Sequence, residues 1–578
     1  MFFVDSTLFF RNETLFDRSK CLYTKRILVI MTSEKKHQNN GYFRVTGPPG
    51  TGKTTWLSRQ VERAVEKHGP RVGVVSFTKA AAVEAAGRGL PIPEGMVGTL
   101  HAMCYRAFGS AKIFEIDGAK AWNAEHPDWA LESIGKGALD DPEDSSSKTQ
   151  GEALYQQACV YRARMLPLES WAYTPPGQFY QALNDFKRAN GFKDFTDLIE
   201  DALDHVPTMP GEPEIIFVDE AQDFSPLELA LVRKWGDRAS QLVIIGDELQ
   251  CLYGFKGSTP EGFLTPALPP ENEIVLKQSW RLPKEIHERA VSWISRCASY
   301  RKTDYLPREG EGECREEPFS LRFSDALVDD AMAYSASGKS VMFLASCGYM
   351  LDRLKHEMRE RGLPFHNPYR KKRGDWNPLR GVGERVKCYL RPDFETFGDK
   401  ARVWTGYELN RWADELEASG TLKRGAKKRL AEIKERASEP MDMEKLAELF
   451  EPEALVALTN AVQSGTKPAL QWLEEHLLES KRKLIEYPIR VARDHGGKAL
   501  AENPKIILGT AHSVKGGEAS RVYLFPDLAP NGYRTGWSED TPQEKDAIRR
   551  MFYVGMTRAR DSLILCQQST PYAVDWEM

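Results

Sequence analysis

The stretch Gly47-Pro-Pro-Gly-Thr-Gly-Lys-Thr sets a lysine and a hydroxyl residue behind three glycines. That spacing lets successive backbone N–H groups curl round a phosphate at the start of a helix, where the helix dipole favours negative charge. Lys53 is placed to reach the β and γ phosphates of a nucleotide, and Thr54 to hold Mg²⁺ through its hydroxyl. The nucleotide-binding candidates are therefore Gly47, Pro48, Pro49, Gly50, Thr51, Gly52, Lys53, Thr54 and Thr55. A second group, Asp219-Glu220, follows the apolar run Ile215-Ile-Phe-Val, and open α/β sheets bind ligands at the carboxyl ends of their strands. Asp219 is placed to hold the metal, directly or through water, and Glu220 to orient and deprotonate an attacking water. Alone, such a pair is equally an ordinary strand-to-loop boundary; the phosphate loop upstream favours chemistry. A third group ends the run Leu242-Val-Ile-Ile: Gln250 is positioned to sense a γ-phosphate, with Tyr253 and Phe255 beyond it.

These residues need a frame. Tyr42-Phe-Arg-Val-Thr reads as a strand before the glycine-rich turn, and Thr54 to about His68 as the helix after it. Val72 to Ser76 reads as a second strand and Lys79 to Arg88 as a second helix. A later set begins with Val341-Met-Phe-Leu before a helix over Met350 to Arg361, and continues with Ile506-Ile-Leu and Val522-Tyr-Leu-Phe. Short apolar strands alternating with helices predict parallel sheets covered on both faces. The fold class is thus α/β, with two such cores. The stretches between the strand sets are rich in helix formers and charge, and read as mainly helical insertions. The division that follows is an uninterpreted extension over 1–40, a first core from 41–104 and 195–284, an insertion over 105–194, a second core from 285–366 and 504–578, and an insertion over 367–503.

The first insertion carries Asp140-Asp-Pro-Glu-Asp-Ser-Ser-Ser, which reads as an exposed loop. The second carries Arg370-Lys-Lys-Arg and Lys423-Arg-Gly-Ala-Lys-Lys-Arg. Such clusters either grip phosphates or are solvated helix faces, the commoner case.

Composition narrows the class. A chain of 578 residues outgrows a single hydrophobic core, and 41% hydrophobic with 28% charged residues is an ordinary globular balance rather than a disordered one. A net charge of −4 excludes a protein coated in positive charge, so any nucleic-acid site must be a local groove. The nine cysteines form no CxxC pair, which argues against a zinc site or a disulfide framework and fits a reducing, cytoplasmic compartment. Neither a signal-peptide core nor an apolar run of about 20 residues is present, so no membrane is implied.

Further segments follow in a fixed order: Val75-Ser-Phe-Thr-Lys-Ala-Ala-Ala, Gly98-Thr-Leu-His, Asp194-Phe-Thr-Asp-Leu, Leu276-Lys-Gln-Ser-Trp-Arg, Gly509-Thr-Ala-His-Ser-Val-Lys-Gly-Gly-Glu and Tyr553-Val-Gly-Met-Thr-Arg-Ala-Arg. With Asp219-Glu-Ala-Gln-Asp and the Gln250 segment, this series resembles the UvrD/Rep branch of superfamily 1 helicases. The resemblance runs from about Gly41 to the C-terminus, strongest at the motifs. It implies two RecA-like cores with ATP and Mg²⁺ between them. It maps Trp280 to an aromatic over the adenine, Arg281 to a phosphate-binding arginine, Glu518 to the ribose and Arg558 to a finger on the γ-phosphate. Glu220, Gln250, Arg281 and Arg558 are then the catalytic set. Phe77, Thr78, Thr99, His101, Tyr253, Phe255, His512 and Lys515 are implied to meet the nucleic acid. The implied activity is ATP-driven movement 3′ to 5′ on single-stranded DNA with unwinding of tailed duplexes, alongside repair, replication or nuclease partner proteins. Three departures stand out. Gln38 lacks the usual surroundings of an adenine-recognition glutamine, Trp280 replaces a tyrosine, and Lys256 stands where arginine is common. The rival reading is an ATP-gated DNA-sensing or regulatory subunit without processive unwinding. A phosphate-loop kinase would leave the last two motifs unexplained.

Overall fold

Among the described residues there are fourteen strands: β1 Gly41–Thr46, β2 Val72–Ser76, β3 Val97–Thr99, β4 Lys112–Ile113, β5 Phe192–Lys193, β6 Ile215–Asp219, β7 Gln241–Gly246, β8 Glu273–Val275, β9 Glu313–Glu317, β10 Val341–Ala345, β11 Phe365–His366, β12 Ile506–Thr510, β13 Ala519–Leu524 and β14 Ala559–Cys566. The structure, a computed structural model, describes residues 41–77, 92–109, 111–132, 134, 149–370, 374–391, 404–433, 438–538 and 541–577. Gln38, Thr78, the helix expected over 79–88, the polar loop at 140–147 and the basic residues 371–373 lie outside the described residues.

Two six-stranded parallel sheets form, in the orders β3-β2-β6-β7-β1-β8 and β11-β12-β10-β13-β14-β9. Their central strands are wholly or almost wholly buried, as apolar runs covered on both faces must be. Alternation along each strand divides the covering layers. Val45, Phe217 and Ile245 face Leu57 and Val61 of the helix Lys53–His68. Ile216, Val218 and Ile244 face Leu198, Leu229 and Trp235 on the opposite side. In the second sheet Met342, Leu344 and Val522 pack on Ile286, Trp293 and Phe552, while Phe343 and Tyr523 face Leu327 and Leu354. The helix expected over Met350–Arg361 begins as a 3₁₀ turn at Gly348–Leu351 and becomes α-helical only over Asp352–Glu360.

The two helical stretches are built differently. The first packs its own aromatic core of Phe114, Trp122, Tyr155, Phe179 and Phe186. It is joined to the first sheet's helices by a buried ionic network, in which Arg162 binds Asp194 at 2.8 Å and Asp197 at 2.6 Å, and Lys187 binds the same two carboxylates. Burial alone would raise the Asp194 carboxyl, but Arg162 and Lys187 hold it well below the usual range. The second stretch continues the core of the second sheet, through Trp376, Tyr389, Trp412 and Leu470. Among the described residues no helix is long and apolar enough to cross a membrane.

Candidate nucleotide and nucleic-acid site

The glycine-rich turn leaves β1 and is tied at once to the neighbouring strand, since the Gly47 N–H donates to the Gly246 carbonyl at 2.9 Å. Gly50 and Gly52 take φ of 74° and 80°, left-handed values that residues with a Cβ adopt only at a cost. At Gly50 a Cβ would also stand 2.6 Å from the Cβ of Arg281. The turn ends at the N-terminus of the helix Lys53–His68, with Gly52 as its cap. Lys53 Nζ folds back to donate to the Gly47 carbonyl at 2.7 Å, and Thr51 Oγ1 donates to the Pro48 carbonyl at 2.7 Å. Thr54 is half-buried and Thr55 exposed.

Because β7 lies between β1 and β6, the turn, Asp247 and the Asp219-Glu220 pair open side by side at the sheet's carboxyl edge. Asp219 is buried, and its Oδ1 accepts from the Glu220 N–H at 3.0 Å. Glu220 holds a left-handed backbone, φ 55°, and its carboxylate accepts from Gln222 Nε2 at 2.6 Å. Burial would raise the Glu220 carboxyl, yet Lys515 and Lys53 bring it below its ordinary value and keep it ionised. Gln250 donates to Asp247 at 2.7 Å.

The second sheet closes the site from the opposite side. Arg558, 2% exposed, donates to Gln250 Oε1 at 3.3 Å and to the Gly517 carbonyl at 3.2 Å. Lys515 donates to the Gln250 carbonyl at 2.9 Å and Arg550 to the Cys251 carbonyl at 3.3 Å. The Gln250-Cys251 turn is therefore held by three cations from the far core. Burial, with Arg281 adding its repulsion, pushes the Arg558 guanidinium down to about 9, so an anion brought here gains from a cation stripped of water.

Arg281 pairs with Glu518 at 2.8 Å and donates to the Thr557 carbonyl at 3.3 Å, and Arg560 binds Glu518 at 3.1 Å. Trp280 is anchored by its N–H to the Gly50 carbonyl at 2.8 Å, while its indole is 61% exposed. A flat aromatic face thus stands beside the phosphate-binding turn, as base stacking requires. The glycine cradle, the ionised Glu220, the buried Asp219 and the desolvated Arg558 together fit a nucleoside triphosphate.

Four of the residues expected at the nucleic acid meet across the two cores. Tyr253 lies 4.8 Å from Phe77 and 5.7 Å from Phe255, ring centre to ring centre, and His512 lies 5.9 Å from Phe255. Tyr253 is only 9% exposed; Phe77, Phe255 and His512 are half-buried. Thr99 caps the helix Leu100–Phe108, accepting from the Ala102 N–H. His101 stands edge-on to Phe195 at 5.7 Å and 3.9 Å from Glu228. Lys515 stands between the two groups: its ammonium is paired with Asp223, lies 3.8 Å from Glu220 and stands 5.5 Å over the Tyr253 ring.

Residues 32–267 match the model of the UvrD/REP helicase N-terminal domain, and residues 409–570 that of the UvrD-like helicase C-terminal domain. The protein named ATP-dependent DNA helicase UvrD1 from Mycobacterium leprae is 22% identical, over 92% of this chain and 81% of its own length. The chain belongs to the UvrD/Rep family of ATP-dependent DNA helicases. F-box DNA helicase protein 1 of Schizosaccharomyces pombe is 23% identical over 62% of this chain, a match spanning 34% of that protein. RecBCD enzyme subunit RecB of Mycobacterium tuberculosis is 29% identical over 126 residues, 21% of this chain and 11% of RecB.

Several residues of this UvrD/Rep-type site have no motif to announce them. Arg550 reaches the site from within the helix Pro542–Met556. Asn367 pins the Thr510 turn by donating to the Leu508 carbonyl at 2.9 Å and to Ser513 Oγ at 3.2 Å. Tyr305 and Arg308 donate to backbone carbonyls around the site. Such contacts demand a donor at a point in space, which many residue types at many positions satisfy.

Proposed function

We propose that the protein is a motor that hydrolyses ATP between its two cores, moves 3′ to 5′ along single-stranded DNA and opens duplexes it meets. The observation that carries this is the reach of Arg558 to Gln250 across the cleft. A cation from one core touching the γ-phosphate-sensing candidate of the other makes core separation depend on what occupies the cleft. In this reading Lys53 and the turn hold the phosphates, Thr54 and Asp219 hold Mg²⁺, Glu220 accepts the water's proton, and Arg281 and Arg558 stabilise charge on the phosphates. Trp280 stacks on the base and Glu518 releases its arginines to meet the ribose. Phe77, Tyr253, Phe255 and His512, with Lys515 beside them, form the strand-facing cluster, Thr99 and His101 lie further along the track, and Thr78 is a further candidate contact. The division into 41–104 with 195–284, and 285–366 with 504–578, as the two moving bodies belongs to the same proposal. So do a cytoplasmic location and partners in repair or replication.

The test is strand displacement on 3′-tailed and 5′-tailed duplexes, with ATPase measured with and without single-stranded DNA. Displacement of the 3′-tailed substrate alone is expected. The local likeness to a protein named as an enzyme subunit favours, as the second reading, an ATP-gated DNA-sensing subunit. DNA-stimulated hydrolysis without displacement on either substrate would establish that reading instead.

A further inference from the structure

A phosphate-binding turn works only if its N–H groups face inward, so its carbonyls must be held on the outer side. In this chain the Gly47 and Pro48 carbonyls are held by Lys53 and Thr51, and those of Pro49 and Gly50 by the segment linking the two sheets. The Pro49 carbonyl accepts from the Tyr305 hydroxyl at 2.6 Å and from Ser279 Oγ at 3.2 Å. The Gly50 carbonyl accepts from the Trp280 N–H at 2.8 Å. Pro49 and Gly50 precede Lys53 in the same turn, so their peptide planes set the direction of the cradle's donors.

Tyr305 is itself fixed. Its ring packs on His287 at 4.5 Å. The chain around it is laid along residues 277–282 by backbone bonds of 2.8 Å each, from Leu306 N to the Lys277 carbonyl, from Ser279 N to the Leu306 carbonyl and from Arg308 N to the Leu282 carbonyl. At the other end of the segment, Arg308 donates to the Arg281 carbonyl at 2.9 Å and to the Arg560 carbonyl at 2.5 Å, and pairs with Asp561 at 3.1 Å. Arg560 and Asp561 directly follow the turn that carries Arg558.

We infer that Tyr305 is a positioning residue for the phosphate-binding turn, and that Tyr305–Arg308 is a strap joining the shape of that turn to the placement of Arg558. The inference rests on the reading of the cleft as an ATP site. Tyr305 touches no phosphate; it orients a carbonyl so that the neighbouring N–H groups are presented. Those N–H groups serve bound ATP and transition state alike, so loosening them weakens binding more than it slows chemistry.

The full-length wild type, Tyr305→Phe and Ser279→Ala are compared by ATP KM and kcat, by affinity for a fluorescent ATP analogue, and by melting temperature. Tyr305→Phe keeps the ring on His287 and removes only the donated hydrogen bond. Its KM and analogue Kd are expected to rise about three- to tenfold, the scale of one hydrogen bond, with kcat within about twofold of wild type. Ser279→Ala, which removes the other side-chain donor to the same carbonyl, is expected to shift KM in the same direction. Unchanged KM and analogue affinity in Tyr305→Phe overturn the inference, whatever the melting temperature does. Should Tyr305→Phe not fold, unchanged affinity in Ser279→Ala overturns it equally. A wild type that binds the analogue without hydrolysing ATP would end the motor reading while leaving the strap measurable by affinity. A wild type that binds no nucleotide removes both.

Discussion

Glu220 has a left-handed backbone and no glycine's freedom to adopt it, a conformation costing of order 1–3 kcal/mol that persists only where surrounding structure enforces it. Here the backbone is held at both ends, the Glu220 N–H donating to Asp219 Oδ1 and the Glu220 carbonyl accepting from the Asp223 N–H, each at 3.0 Å, while Lys515 and Lys53 favour the charge. Burial pushes the carboxyl up and the two lysines pull it below its ordinary value. A group with a depressed pKa stays ionised above that value and loses its charge only as pH falls through it. Turnover should therefore show no loss from Glu220 protonation near neutrality. Lys515→Met removes the larger of the two lysine effects, so burial gains and the acid limb of the kcat profile should move to higher pH. The same shift in an Asp223→Asn background would assign it to Glu220, because Asp223 is the other carboxylate beside Lys515; an unmoved limb would remove Lys515 from the electrostatics. Arg558→Ala should slow hydrolysis by about 10³-fold or more, with a smaller loss of nucleotide affinity. A lowered melting temperature with normal turnover would make Arg558 a plain structural cation.

At the scale of elements, the strands buried on both faces were legible because apolar, largely β-branched residues fill most of their positions: Val72–Ser76 and Ile215–Asp219 stand where their composition puts them. β9, Glu-Cys-Arg-Glu-Glu, was not legible. It is an edge strand with one neighbour, β14, and Arg315 pairs along it with Glu313 and Glu317 at 3.2 Å each, so its pattern carries charge rather than apolar alternation. Residues following a strand's carboxyl end were legible for the same reason as the strand. The place of Lys515 was not, since it depends on a carboxylate 292 positions away in the chain. The basic cluster at 423–429 left two readings open, and three of its five basic side chains turn to backbone. Lys423 donates to the Ala447 carbonyl at 2.7 Å, Lys427 to that of Asp414 at 3.3 Å and Arg429 to that of Glu448 at 2.9 Å. Lys423→Ala with Arg429→Ala should thus leave the salt dependence of single-strand binding unchanged. If these were phosphate contacts, the slope of log K against log salt would fall by about 0.7 for each.

For the whole molecule, the order of strands in the first sheet differs from their order in the chain. β1 lies between β7 and β8, so the strand that feeds the phosphate-binding turn finds neither sheet neighbour until the chain has reached residues 241–275. At about 5–20 residues per second, a ribosome takes roughly 10–40 seconds to make that intervening stretch. Throughout that interval the turn is present as sequence without a sheet to shape it. Protease digestion of nascent chains should find residues 41–76 cleavable in fragments ending before residue 215 and protected in fragments extending past β8. Early protection would mean that the helix Lys53–His68 and its strand hold together unaided. The first-made part of the nucleotide site is then among the last to become competent, and a growing chain cannot bind nucleotide until much of its own first half has left the ribosome.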